Sequence, residues 1–158
     1  MKLSVRKKLR LENYDYSASG AYFITICVKD RKRIFGDIVG ADALIRPKTE
    51  LSNYGKTAEK YLRNIPDIDK YVIMPDHIHL IIKIPFANGT MKASSPTSII
   101  SARIRSFKIL VSKEIGFSVF QRSYFDHVIR NETDYKEICQ YIENNPAGWI
   151  EKSIKKRL

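Results

Sequence analysis

Alternation of apolar and polar positions is clearest in residues 77–84 (HIHLIIKI). Side chains on a β-strand point alternately to its two faces, so this pattern predicts a strand with one wholly apolar face. That face would hold Ile78, Leu80, Ile82 and Ile84, and the other would hold His77, His79, Ile81 and Lys83. Pro75 and Asp76 predict a tight break before the strand.

The remaining patterns predict three further strands, a short additional strand and three helices. β-Branched and aromatic runs favour strands at 22–28, 71–74 and 125–130, with the short strand at 34–39. Helical spacing favours helices at 51–64, at 96 to about 114 with Ser95 as N-cap, and at 134–144 with Asn131 or Thr133 as N-cap. Asn145 and Pro146 are expected to end the last helix. This order predicts an α+β, ferredoxin-like (RRM-like) antiparallel sheet with helices packed on it.

Length and charge narrow the class of protein. The 158 residues are expected to form one domain over 1–158, with basic arms at 6–10 and 152–157. A net charge of +11 favours a polyanionic partner, and nucleic acid fits this better than a membrane surface. No segment has the ~20 consecutive apolar residues of a membrane span or the apolar core of a signal peptide, so we expect a cytoplasmic location. Cys27 and Cys139 lack metal or redox spacing and are expected to be reduced core residues.

Two histidines on a strand and a tyrosine on the last predicted helix are the candidate metal-binding and catalytic residues. His77 and His79 would stand side by side on one strand face, as metal ligands can, although a bare HxH is more often a pair of structural histidines. On the last predicted helix, Tyr141 and Asn145 share a stripe one turn apart, beside the apolar face. Tyr141 could therefore point towards a metal held by the histidines, with Asn145 as an oxygen ligand. On pattern alone, an amphipathic tyrosine and a helix-ending asparagine explain these two residues equally well.

Five segments, spaced over most of the chain, resemble the REP-associated tyrosine transposases, relatives of the single-strand insertion-sequence transposases. They are YSASGAYFIT at 16–25, YVIMPDHIH at 71–79, FDHVIR at 125–130, YIENNP at 141–146 and Trp149. Their joint occurrence is far more specific than HxH. Phe120 stands where the family often has tryptophan, and Asn145 replaces the glutamine that is common in the insertion-sequence branch.

The resemblance implies an HUH endonuclease fold and a role for each matched residue. His77 and His79 would be the metal ligands, Asn145 the third ligand and Tyr141 the nucleophile. The implied activity is that of a single-strand DNA endonuclease and strand transferase, which forms a covalent 5′-phosphotyrosine and leaves a free 3′-hydroxyl. Without a thiolate among the ligands, Mg²⁺ or Mn²⁺ is the expected ion. The expected partner is single-stranded or hairpin DNA, and a monomer is slightly favoured over a homodimer.

Basic side chains are the candidate DNA contacts, and each could equally belong to a solvated cationic face. They are Arg103, Arg105, Lys108, Arg122 and Arg130, supported by the basic turn at 29–33. Tyr124 or Phe125 could stack on bases, although aromatic side chains more often pack in the core. His127 could be a fourth group at the metal site, but a strand residue that is paired locally is the favoured interpretation. Two other functions stay open: a non-catalytic nucleic-acid binding module on the same sheet, and a metal-dependent hydrolase, which the absence of an obvious carboxylate base disfavours.

Overall fold

The computed structural model describes residues 20–40, 46–85 and 96–157. The predicted basic segment at 6–10, the first residues of the YSASGAYFIT segment, and the loop at 86–95 with its Ser95 cap lie outside these ranges. In chain order the elements are β1 (Gly20–Cys27), β2 (Gly36–Val39), β3 (Lys48–Leu51), α1 (Asn53–Leu62), β4 (Ile68–Met74), β5 (His77–Ile84), α2 (Pro96–Ile115), β6 (Phe125–Ile129) and α3 (Glu132–Lys155). A single turn of 3₁₀-helix, Lys29–Arg31, follows β1.

The main sheet has four strands in the order β4-β5-β1-β6, and every neighbouring pair is antiparallel. Apart from the small β2-β3 hairpin, the order along the chain is strand, helix, two strands, helix, strand, as in a ferredoxin-like fold. The predicted α+β antiparallel architecture is therefore confirmed. Among the described helices, none combines the length and apolarity needed to cross a membrane.

The main hydrophobic core lies between the sheet and the first two helices. Tyr22, Ile24 and Ile26 of β1 point to this side, and so do Ile78, Leu80, Ile82 and Ile84 of β5, as their alternation predicted. Ala58 and Leu62 of α1 and Ile104, Phe107 and Val111 of α2 pack against them. Complete burial of such aliphatic and aromatic side chains stabilises the fold by roughly 1.5–3 kcal/mol each.

A smaller core lies on the opposite face of the sheet, under α3. Cys139 and Ile142 of α3 are buried with Ile81 of β5, and Phe23 and Ile129 contact this cluster. The two alternating faces of β1 and β5 therefore serve different cores. The smaller core fixes α3 on the face that carries both predicted metal ligands.

Two differences from the prediction near α1 have local causes, and one predicted helix cap is confirmed. Leu51 ends β3 instead of starting α1, and the Ser52 hydroxyl caps the helix by accepting a hydrogen bond of 3.1 Å from the Gly55 amide. Strand β3 was missed because its four residues, KTEL, carry two charges and pair only with the short β2. At α3, the side chain of Asn131 accepts a hydrogen bond from the Asp134 amide, so this predicted cap is confirmed.

The predicted end of the last helix was wrong. Helix α3 continues past Asn144 and Pro146 to Lys155, so it includes most of the basic segment at 152–157 that was expected to be an arm. A proline inside a helix removes one backbone hydrogen bond, a cost that tertiary contacts can offset. Here Pro146 itself is buried, and Trp149 lies 6.1 Å from the His77 ring between centroids. Such contacts between distant segments cannot be seen in the local sequence pattern, which is why the helix was predicted to end too early.

Candidate active site

His77 and His79 lie side by side on the α3 face of β5, with ring centroids 4.5 Å apart. Their partners on β1 are Cys27 and Thr25, respectively. Both imidazoles are buried, with 7% and 5% of their surface exposed. A buried polar ring requires hydrogen-bond partners, and the partners of each ring define its state.

His79 has one partnered nitrogen and one buried nitrogen without a protein partner. Its Nδ1 lies 2.8 Å from the Thr25 hydroxyl, and its Nε2 has no hydrogen-bond partner among the described residues. Burial, reinforced by the neighbouring His77, lowers the pKa of His79 to about 3, so the ring is neutral near pH 7. When Nδ1–H donates to Thr25, Nε2 presents a lone pair, which is the form that binds a metal.

His77 is held by an acidic residue that the sequence interpretation treated only as part of a turn. Its Nδ1 lies 2.5 Å from Oδ1 of Asp76, and Oδ2 of Asp76 accepts a hydrogen bond of 3.1 Å from Nε of Arg31. Burial lowers the pKa of His77, and the Asp76 carboxylate opposes this effect. An Nδ1–H bound to a carboxylate orients the imidazole and leaves Nε2 as the ligand atom, as in many metal sites.

The left-handed backbone beside the site is what brings Arg31 to Asp76. Asp30 and Arg31 have φ values of 57° and 53°, a conformation that side chains other than glycine rarely adopt. The resulting turn folds the Arg31 side chain back, so that it contacts both Asp76 and the sulfur of Cys27. Local strain of this kind is typical of functional regions.

Tyr141 and Asn145 project from α3 towards the two histidines. The Tyr141 ring lies 5.2 Å from the His79 ring and 6.0 Å from the Phe23 ring between centroids. Half of Tyr141 is exposed, so its hydroxyl group is accessible from outside. Asn145 lines the same cavity as both histidines, and its side chain acts to raise the pKa of His77. The structure therefore brings together all four residues predicted for catalysis and metal binding.

These four residues line a cavity of about 780 Å³ with a basic rim. The Arg33 guanidinium lies 5.1 Å from the centroid of the Trp149 ring, at the mouth of the cavity. Among the described lining residues, Asp76 supplies the one carboxylate, and Arg31 is bound to it. The cationic lining residues are Arg31, Arg33, Lys152, Lys156 and Arg157. The charge favours an anionic ligand beside Tyr141.

The residues at the base of the cavity fit a divalent cation. Two neutral imidazoles are available, one with an unpartnered buried nitrogen and the other oriented by Asp76, and Asn145 adds an amide oxygen nearby. The described residues contain no cluster of three or more histidine, cysteine, aspartate or glutamate side chains suited to a metal. Histidine nitrogen and amide oxygen suit Mn²⁺ better than Mg²⁺.

Comparison with known proteins identifies the family. The family model described as "Transposase IS200 like" matches residues 17–145, which include both histidines, Tyr141 and Asn145. The chain belongs to this transposase family. An uncharacterized protein of Haemophilus influenzae is 36% identical over 173 residues, which cover 94% of this chain and 92% of that protein.

Two further family comparisons concern REP-associated transposases. A REP-associated tyrosine transposase of Escherichia coli is 24% identical over 140 residues, with 87% of this chain and 73% of that protein covered. The solved structure of a REP-associated tyrosine transposase bound to a REP hairpin superimposes with a TM-score of 0.57 at 22% identity, covering 88% of this chain and 74% of that one. It shows that the two chains share a fold. The resemblance inferred from the five sequence segments is confirmed.

The five predicted DNA contacts of this family member do not lie at the cavity that holds Tyr141. Arg103 binds the Asp67 carboxylate and the Pro66 carbonyl, both at 3.0 Å. Lys108 donates to the backbone carbonyl groups of Gln121 and Ser123 at 2.8 and 2.9 Å. Arg105, Lys108 and Arg122 line a separate groove beside α2, and Arg130 is exposed between β6 and α3. Their contact with DNA stays a prediction.

Other residues that could compete for the catalytic roles have different partners. The Tyr135 hydroxyl donates to the Asp69 carboxylate, which raises the pKa of Tyr135. Tyr124 packs against the main core, and its hydroxyl lies 2.9 Å from that of Ser101. His127 pairs with Asp134 at 3.0 Å, so the local pairing expected for it is confirmed.

Sequence reasoning missed several members of the site. Asp76 precedes the first histidine directly, and a carboxylate beside a ligand histidine is a signal that could have indicated its role. Thr25 could be found only from the register between β1 and β5, which places it opposite His79. Lys152, Lys156 and Arg157 were assigned to an arm because Pro146 was read as the end of the helix.

Proposed function

We propose that this chain is a single-strand DNA endonuclease and strand transferase with Tyr141 as its covalent nucleophile. The observation that carries the proposal is the meeting of Tyr141 and Asn145 of α3 with His77 and His79 of β5 in one cavity with a basic rim. The shared family supports the activity class. A binding module on the same sheet would need neither the buried histidine pair nor a tyrosine directed at it.

Tyr141 would attack the phosphorus atom of a phosphodiester. A phenol is largely protonated at neutral pH, so the hydroxyl proton must leave as the oxygen bonds to phosphorus. The bond from phosphorus to the 3′-oxygen of the preceding nucleotide breaks, and that oxygen takes up a proton. The products are a 5′-phosphotyrosine and a free 3′-hydroxyl. Since the phosphoester is conserved, a later attack by another 3′-hydroxyl would rejoin a strand and release Tyr141 without ATP.

His77, His79 and Asn145 would hold Mg²⁺ or Mn²⁺, which supplies positive charge to a non-bridging phosphate oxygen and so offsets the charge that builds during attack. Asp76 would orient His77, and Thr25 would orient His79, so that each ring keeps its Nε2 lone pair directed into the cavity. Burial lowers the pKa of both rings, so both are neutral near pH 7 and need not lose a proton before they bind a metal. Because both are already buried in place, little reorganisation is needed for them to act as ligands.

The basic rim would hold the strand on either side of the attacked phosphate. Arg33 and Lys152 are exposed residues that line the cavity together with the half-exposed Tyr141. Each phosphate neutralised by lysine or arginine releases counterions, and this release supports binding without requiring a particular sequence. The similar solved transposase is bound to a REP hairpin. We propose that the present chain acts on single-stranded or hairpin DNA.

Covalent capture of DNA tests the proposal directly. Single-stranded oligonucleotides covering the sequences that flank the gene would be incubated with the protein and Mn²⁺, and protein joined to DNA would be detected in denaturing gels. We expect an adduct with the wild type and none with Tyr141→Phe, which retains the ring beside Phe23 and His79. Tyr135→Phe is the matched control, since it removes a hydroxyl group from the same helix and should leave the adduct.

Mass spectrometry of the DNA-linked peptide would identify the attached residue. An adduct that persists in Tyr141→Phe and maps to Tyr124 would refute the assignment of the nucleophile. Binding of every tested strand without any adduct, in Mn²⁺ or Mg²⁺, would favour the non-catalytic module instead.

A further inference from the structure

Part of the α3 face of the sheet is not covered by the residues that the structure describes, and an aromatic side chain is exposed there. Phe125 begins β6, the edge strand next to β1, and 51% of its surface is accessible. Its partner in the register is Thr25, and the partner of Thr25 on the other side is His79. Phe125, Thr25 and His79 therefore form one row across three neighbouring strands. The histidine in this row is the one that faces Tyr141.

The packing of α3 explains why Phe125 is left exposed. The small core under α3 lies farther along the strands, at Phe23, Ile81 and Ile129, and Phe125 does not belong to it. The preceding residue, Tyr124, points to the other face and packs against the main core. Phe125 therefore contributes little to either core, and an exposed phenyl ring carries a cost in water that burial against a ligand would remove.

We propose that Phe125 is a stacking platform for an unpaired base of the strand whose phosphate is attacked by Tyr141. This inference rests on the function proposed above, and it adds the place where a base next to the cleavage site is held. Two inter-strand spacings, about 10 Å, separate Phe125 from His79. The cationic residues that line the cavity attract the sugar–phosphate backbone. A base next to the bound phosphate can then stack on the exposed Phe125 ring. Every base has a π-face, and stacking on aromatic side chains tolerates all of them.

Single-strand binding in a cleavage-deficient background separates this role from catalysis. Affinities would be measured for Tyr141→Phe and for double variants that add Phe125→Ala, Phe125→Trp or Phe117→Ala, using an oligonucleotide that forms an adduct with the wild type. We expect Phe125→Ala to weaken binding about 5- to 150-fold, the range for loss of one stacked base. Phe125→Trp should retain or improve the affinity. Phe117 is 46% exposed and contacts Tyr54 of α1 on the other side of the sheet, so Phe117→Ala is the matched control and should leave the affinity unchanged.

An abasic scan of the oligonucleotide gives a readout that a merely structural role would not produce. Removing the stacked base should weaken binding of the parent, whereas the same removal should have no further effect in the Phe125→Ala variant. Only one or two positions near the cleaved bond should show this coupling. The inference would be overturned if Phe125→Ala bound as tightly as its parent, or if its affinity fell without coupling to any one nucleotide. Adduct formation by the wild type would still support the proposed function in either case. If the wild type forms no adduct, both fail together.

Discussion

Two basic cavities formed by the described residues of this transposase family member lie on opposite sides of one sheet and use their cations differently. The groove beside α2, of about 880 Å³, is lined by Arg105, Lys108, Lys113 and Arg122. Lys108 is half buried there and bound to two backbone carbonyl groups, so it links α2 to the segment before β6. The cavity under α3 is slightly smaller, but it contains Tyr141 and the histidine pair.

The difference shows that the number of cations near a surface does not identify the site of chemistry. A lysine that satisfies carbonyl groups of its own chain stabilises the fold, and it can bind phosphate only after giving up those bonds. The cations under α3 surround the tyrosine that we propose as the nucleophile and two neutral imidazoles, so their positive charge is placed where the proposed reaction would need it. Three predictions test the contrast.

The largest effect is expected for the histidine pair. His77→Ala or His79→Ala should reduce adduct formation about a thousandfold or more, because charge compensation at the phosphate contributes several kcal/mol to the barrier. Binding of Mn²⁺, followed by calorimetry, should be lost in parallel, and the circular dichroism spectrum should be retained because neither ring belongs to a hydrophobic core. His127→Ala, on the same face but paired with Asp134, is the control. Normal cleavage by a variant that carries both His77→Ala and His79→Ala would refute the assignment of these residues as metal ligands.

An intermediate effect is expected when charges are removed from one cavity at a time. Replacing Lys152, Lys156 and Arg157 with glutamine should reduce the logarithmic salt dependence of single-strand affinity by about two, since each phosphate contact contributes about 0.7. Replacing Arg105, Lys113 and Arg122 should leave that slope nearly unchanged. Fluorescence anisotropy at several salt concentrations measures both. If the Arg105, Lys113 and Arg122 replacements reduced the slope more than the α3 replacements did, the groove beside α2 would be the main DNA-binding surface. That result would support the DNA contacts predicted from the sequence.

The smallest effect on DNA is expected from Lys108→Met. The two carbonyl groups that Lys108 satisfies would lose their donor, so the free energy of unfolding should fall by roughly 1–3 kcal/mol. Affinity for single strands should stay the same. Urea denaturation and a binding titration on the same sample separate the two quantities. Unchanged stability with weakened binding would show that Lys108 belongs to a DNA site.

Sequence reasoning predicted the sheet well because its signals are local. The alternation along β5 assigned both faces of that strand, and helical spacing placed Tyr141 one turn before Asn145 on α3. What was missed depends on contacts between distant segments. Thr25 is opposite His79 only through strand register, and α3 passes through Pro146 because its second half packs at the site through Trp149. The partners of Arg103 and Lys108 likewise come from other segments, so their sequence neighbours could not reveal them.

The separation of core residues from site residues along β5 has a consequence for how the protein could evolve. Ile78, Leu80 and Ile82 on one face and Ile81 on the other maintain the fold, whereas His77 and His79 belong to neither core. Selection for a folded chain therefore acts on one set of positions, while selection for chemistry acts on the other. A lineage that no longer benefited from the proposed cleavage activity would lose the histidines without losing the domain. The same scaffold could then persist in a genome as an inactive nucleic-acid binding protein.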